Sequence, residues 1–152
     1  MIAYHFLRAD FTAQAGSEPA WTVGEERTFP RVPVLCVYGY HSSASWLDAL
    51  TYAPGPIACV VEISDPVERA SDKQVSKKRK LLAAWDVSRE LRLFACDCAE
   101  RALTQEREAG REPDPRSWAA IEVARRYAAG EATVPQLTAA GAAAWAAAGD
   151  AA

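Results

Sequence analysis

Apolar positions along the chain change period once, near residue 86. Over residues 2–8 and again over 57–63 (IACVVEI) they occupy both phases of a two-residue alternation. That pattern belongs to strands covered on both faces, and the first of them is expected to be a central strand. Residues 9–31 hold no sustained period and carry Gly16, Pro19, Gly24 and Pro30, so they read as a long excursion that Trp21 and Val23 could anchor. Residues 34–38 read as the next strand, ended by Gly39. Residues 42–53 predict a short helix capped by Ser45, with Trp46, Leu47, Ala49 and Leu50 on its steps and Asp48 outward. Pro54, Gly55 and Pro56 stop it. Pro66 and dense charge make residues 64–80 a loop that feeds a strand near 74–84.

Beyond residue 86 the spacing becomes helical. Leu91, Phe94, Ala95, Cys98, Ala102 and Leu103 predict one apolar stripe on a helix over 87–108. Asp114 followed by Pro115 is a cap and a first-turn proline, opening a helix to about residue 129 with Ala120, Ile121, Ala124, Tyr127 and Ala128 inward. Thr133 and Gln136 have the spacing of a capping box, and the helix they open presents Leu137, Ala140, Ala144, Trp145 and Ala148. The fold class is therefore α+β: a small mixed or antiparallel sheet domain over 1–85, then a C-terminal three-helix subdomain over 87–149.

Composition narrows the function classes. Hydrophobic residues make up 50% and charged residues 24% of the 152, the mix of a packed protein and not of a disordered one. No apolar run reaches the roughly 18 residues of a membrane span, and the N-terminus has no basic leader, so a cytoplasmic protein without membrane contact is expected. The net charge of -3 argues against a nucleic-acid partner. The run Lys77, Lys78, Arg79, Lys80 is expected to be a solvated hairpin or guarded edge strand.

Candidate chemistry is sparse. In a helix the C-x-C thiols of Cys96 and Cys98 point about 200° apart, and His5 and His41 are the chain's two histidines, so no metal site is expected. Cys36, Cys59, Cys96 and Cys98 are expected to be buried, reduced thiols. His41 and Ser42 are adjacent, which on a strand sends them to opposite faces, and no acid is placed to orient the imidazole. His41 then reads as a turn residue bonded locally, His5 as a satisfied strand histidine and Tyr52 as a helix-end anchor.

Residues 39–63, GYHSSASWLDALTYAPGPIACVVEI, resemble an uncharacterised family of bacterial and phage accessory proteins with a G-x-H turn, a D-A-L helix, a Y-A-P-G turn and a V-E strand. With its flanks this likeness covers residues 1–86. Residues 90–148, including ELRLFACDCAERAL and AIEVARRYAAGEAT, resemble an immunity-protein-like helical module found attached to varied partners. Together these resemblances imply a gene of phage or mobile-element type and a protein partner, a component of a defence system. A deeper likeness is to the ADP-ribosyltransferase superfamily, carried by His5 on the first strand, Gly39 and Tyr40 at a strand end, and Tyr52 one short helix later. It implies NAD as cofactor, His5 on the ribose hydroxyls, Tyr40 or Tyr52 stacked on nicotinamide, and Ser42 on the amide. That superfamily draws a glutamate from a late strand, and residues 77–85 contain none.

The leading expectation is a non-catalytic protein that binds and inhibits another protein in a counter-defence or immunity role, without a cofactor and with no firm catalytic residue. Trp21, Trp46 and Trp118 are its candidate interface anchors. The alternative is an ADP-ribosyltransferase-like NAD-binding protein or enzyme, with His5 and Tyr52 as candidate catalytic residues and His5, Tyr40, Ser42 and Tyr52 as candidate cofactor contacts.

Overall fold

Two thirteen-residue strands form the spine of the N-terminal part: β4, Ile57–Arg69, and β5, Gln74–Asp86, paired antiparallel across the connection at residues 70–73. The computed structural model describes residues 1–14 and 17–150; Gly16, counted above in the excursion, lies outside them. The chain divides into two units, Met1–Val87 and Ser88–Ala152.

In the first unit β1 (Ile2–Leu7), β2 (Glu26–Thr28) and β3 (Tyr40–Ser42) complete an antiparallel sheet of order β1-β4-β5-β2, with β3 also pairing β5. β1 is thus not central, as its pattern suggested, but ends this path. Its apolar outer face is covered differently, by the helix α1 (Trp46–Thr51): the Trp46 ring lies 4.4 Å from Tyr4 and 5.9 Å from Phe6. The other edge of β1 is closed by a bridge in which Tyr4 and Ser43 exchange N–H···O bonds of 2.9 Å. Because β3 pairs β5 and Ser43, just after it, bridges to Tyr4 of β1, the sheet rolls back on itself. Register shifts at Val60/Val61 and Pro66/Glu68 add the local bend that such closure needs.

One phase of β4 is fully inward: Ile57, Cys59, Val61 and Ile63 are buried with Ala3, Leu7, Trp21, Tyr40 and Leu81 in a single core. On the other phase Ala58 is buried, Val60 half-buried and Glu62 exposed, so this run is not equally covered on both faces.

Three local expectations shift. Residues 34–38 form a tight turn, with Val34 and Tyr38 bonded at 2.9 and 3.1 Å and Cys36 at φ 63°, and the strand comes later, at β3. Gly39 makes that change of direction at φ 119°, where a Cβ would stand 2.6 Å from Pro33 Cβ and 2.7 Å from Val75 Cγ2. Residues 64–69 are not loop, since β4 continues through them and takes Pro66 at a bulge, where a missing ladder donor is tolerated. α1 does start at its Ser45 cap, which accepts from Asp48 N at 3.1 Å and donates to the Asp48 carboxylate at 2.6 Å.

The second unit holds α2 (Ser88–Glu108), α3 (Pro115–Ala128) and α4 (Val134–Asp150), with α3 packed on both others. Asp114 caps α3 by accepting from Arg116 N at 2.8 Å. Thr133 and Gln136 form the expected box: Thr133 N donates to Oε1 at 2.8 Å and Gln136 N to Oγ1 at 3.4 Å. The inward face of α3 is the predicted one, with Ile121 buried and Ala120, Ala124, Tyr127 and Ala128 half-buried, while those of α2 and α4 differ from the prediction. Cys96, Ile121 and Ala147 are buried, whereas Phe94, Cys98 and Trp145 are exposed. Arg125 spans from α3 to Asp97 at 2.8 Å and Glu100 at 2.6 Å on α2. Arg107 lies 5.0 Å over the Trp118 ring and Arg92 4.8 Å over Tyr127, so both aromatics are held within the helix pair. No helix among the described residues is long and apolar enough to cross a membrane.

Candidate functional site

Rolling the sheet brings β1, β3 and β5 around one cavity of about 770 Å³ in the first unit. β1 supplies His5, β3 supplies Tyr40, His41 and Ser42, the end of α1 supplies Tyr52, and β5 supplies Arg79. Trp21 and Phe29, from the excursion before β3, close the aromatic side. All four residues singled out by the NAD reading, His5, Tyr40, Ser42 and Tyr52, therefore line the same cavity.

Arg79 was hidden in the basic run. That run is neither a solvated hairpin nor an edge: β5 is flanked by β4 on one side and by β2 and β3 on the other. Strand alternation then turns Arg79 inward to 3% exposure, while Lys77, Lys78 and Lys80 stay half-buried. Its Nη2 donates to the His41 carbonyl, and its guanidinium lies 5.2 Å over Tyr40 and 5.7 Å over Trp21. Nε has no partner, and no carboxylate among the described residues pairs with it. Burial pushes this guanidinium down to about 10, so it is charged at neutral pH.

Three neighbouring polar atoms are likewise buried without a partner: His5 Nε2, Ser42 Oγ and Trp21 Nε1. His5 is thus not the satisfied strand histidine expected from its pattern. Burial lowers its pKa well below the ordinary value, with further repulsion from Arg79 and His41, so its imidazole is neutral at pH 7. His41 does bond locally: Nδ1 lies 3.2 Å from Gly39 O and Nε2 accepts from Cys36 N at 2.9 Å, which puts the proton on Nδ1. With both ring nitrogens engaged, His41 does not serve Ser42 as a base. Tyr40 donates to Glu18 at 2.9 Å and is pushed up to about 12 by burial and that contact. Tyr52 ends α1, donates to Asp72 and lies under Lys73, whose Nζ is 4.5 Å from the ring centroid.

The cysteines divide evenly. Cys59 and Cys96 are buried and Cys36 and Cys98 exposed, all four free, so the expectation of burial fails for two of them. Among the described residues no cluster of His, Cys, Asp and Glu could hold a metal ion.

Against known proteins, residues 73–152 match a family model described as "Imm-5 like putative immunity protein". The match contains the 90–148 stretch and extends back through β5, taking in Lys73 and Arg79 but not His5, Tyr40, Ser42 or Tyr52. No curated protein matches the chain, and no solved structure does.

Proposed function

The chain belongs to the Imm-5 like family, and from that membership we propose that it serves an immunity-like role by binding another protein and blocking its action. The observation that carries this reading is Trp145 on α4, within the family-matched stretch, which stands 83% exposed. An indole left in water forgoes the burial that a tryptophan normally gains, and tryptophan is among the residues that dominate protein interfaces. Phe94 and Val134 add exposed apolar surface to the same unit. Trp21 is withdrawn as an anchor because it is buried in the core, whereas Trp46 packs on Tyr4 and Phe6 and is still partly exposed. The partner on this reading is a toxin-like or defence-system protein.

The test is capture from cells that carry the gene, comparing the intact chain with Trp145→Ala after both are shown to be folded by circular dichroism. A protein retained stoichiometrically by the first and lost from the second supports the reading. Equal capture, or none, sinks it.

A second reading draws support from the shared cavity: NAD bound by His5, Tyr40, Ser42 and Tyr52, whose unpartnered Nε2 and Oγ suit hydroxyl and amide groups. The one carboxylate lining the cavity, among the described residues, is Glu18, which is taken up by Tyr40 and by Arg27 at 3.4 Å. Binding without transfer is then the consistent form of this reading. A ligand that binds only the folded state raises its melting temperature by mass action. A saturable shift with NAD, lost in His5→Ala and Tyr52→Ala, is the expected result; its absence in folded protein removes the reading.

A further inference from the structure

The cavity poses a chemical question that neither reading above answers. A guanidinium buried to 3% exposure, without a carboxylate partner, is costly to keep, and nothing in the strand pairing of β5 requires it. Every buried side-chain polar atom left without a partner in the residues that line the cavity can donate: Arg79 Nε and Trp21 Nε1 are donors only, and Ser42 Oγ and the neutral His5 Nε2 can each present a proton. Such a set is satisfied by an acceptor-rich group and not by another donor. Charge agrees. Arg31, Lys73 and Arg79 line the cavity against Glu18 alone, and Glu18 is already paired. The remaining wall is aromatic, with Tyr38 stacked on Phe29 at 5.9 Å and Tyr52 at the end of α1. About 770 Å³ is far more room than an inorganic oxyanion fills and falls in the usual range of small-molecule sites.

We propose that this cavity binds a nucleoside phosphate, its phosphoryl oxygens on the Arg79 guanidinium and Ser42 hydroxyl and its base against the aromatic wall. Arg79 is the anchoring residue, because phosphate suits a planar fork of donors and a buried, water-poor setting strengthens each bond. The proposal does not depend on protein binding by α4 or on NAD being the occupant. It needs only the first unit, and it assigns the buried cation that the other readings leave idle.

The experiment is calorimetric titration of the full chain with AMP, GMP, CMP and UMP, and separately with the four corresponding nucleosides, inorganic phosphate and NAD. At least one monophosphate should bind saturably, with its nucleoside at least tenfold weaker and inorganic phosphate weaker still. Arg79→Gln should abolish binding, and Ser42→Ala, a smaller change that keeps the fold should Arg79→Gln not, should weaken it several-fold. Failure of all four monophosphates overturns the proposal, and so does equal binding of a monophosphate and its nucleoside. NAD bound without any monophosphate leaves the NAD reading standing and this one fallen; a monophosphate bound without NAD does the reverse.

Discussion

Arg79 and His41 are joined by one hydrogen bond, from the guanidinium Nη2 to the His41 backbone oxygen, and among the described residues this is the sole hydrogen bond from the Arg79 side chain. A buried charge held by a single neutral acceptor contributes little to folding. Its desolvation is offset only in part by that bond and by the Tyr40 and Trp21 rings. Arg79→Met, which keeps the length of the side chain and removes the charge, is therefore expected to leave stability unchanged or to raise it by up to about 2 kcal/mol, the uncovered His41 oxygen limiting the gain. Urea unfolding measures this. A loss of more than about 2 kcal/mol would show that the guanidinium supports the fold itself.

His5 makes a pH prediction. Its folded pKa is lowered, so the native state holds it neutral while the unfolded chain takes up a proton below the ordinary value of 6.5. Stability is then full above that value and falls as pH drops below it, by about 1.4 kcal/mol per pH unit until the folded pKa is reached. His41 is lowered too, mainly by burial, and adds to the same window. Both histidines therefore work in the same direction as pH falls from 6.5 to 5. Unfolding midpoints across that range should decline for the natural chain and decline less for His5→Gln. Equal slopes refute the assignment.

Gly39 should tolerate replacement poorly. At φ 119° an alanine is strained, and its Cβ would meet Pro33 and Val75 at 2.6 and 2.7 Å. Backbone strain and overpacking together should cost more than about 2 kcal/mol. Gly130→Ala, at φ 79° with nothing within 4 Å, bears only the backbone part. The two variants compared by denaturation separate the terms: similar losses would mean that the close approach at Gly39 is easily relieved.

How much of this was open to sequence reasoning depends on contrast between neighbouring residues. β1, α1 and the caps at Ser45, Asp114 and Thr133 were legible, because each has a local chemical signature that tertiary structure then used. The separate places of His5, Tyr40, Ser42 and Tyr52 were legible too, but their convergence depends on the Tyr4–Ser43 bridge, which no spacing reveals. Arg79 was masked by three flanking lysines, since four like charges in a row erase the alternation that marks an inward position. In α4 the obstacle was the opposite. With alanine at many positions, any face looks apolar, and the one aromatic side chain, Trp145, was assigned inward although it is exposed and Ala147 is the buried residue. In α2 apolar residues occur on both sides of the axis, so choosing Phe94 over Cys96 placed the stripe wrongly.

The Thr133 box predicts a local effect. Thr133→Ala removes the hydroxyl that accepts from Gln136 N and that also lies 3.0 Å from the Gln136 amide oxygen, leaving the first turn of α4 with an open donor. Loss of such a cap costs about 1 kcal/mol, and Thr133→Ser should recover most of it. Helical circular dichroism followed through urea unfolding is the readout. No difference between alanine and serine at this position would mean that water replaces the cap fully.

Thiol labelling joins the fold to the cavity. Cys36 and Cys98 are exposed, whereas Cys59 is buried and pushed up to about 12, so a thiol reagent should modify two cysteines in the native chain and four after denaturation. Cys36 also lines the cavity, and its backbone N–H is the donor that fixes the His41 ring. A ligand seated against Arg79 should therefore slow labelling of Cys36 several-fold while leaving Cys98, on α2, unchanged. Mass spectrometry of the labelled peptides separates the two rates. Protection of Cys36 alone locates the ligand in this cavity, and equal protection of both would mean that the reagent is being blocked by something other than occupancy of the site.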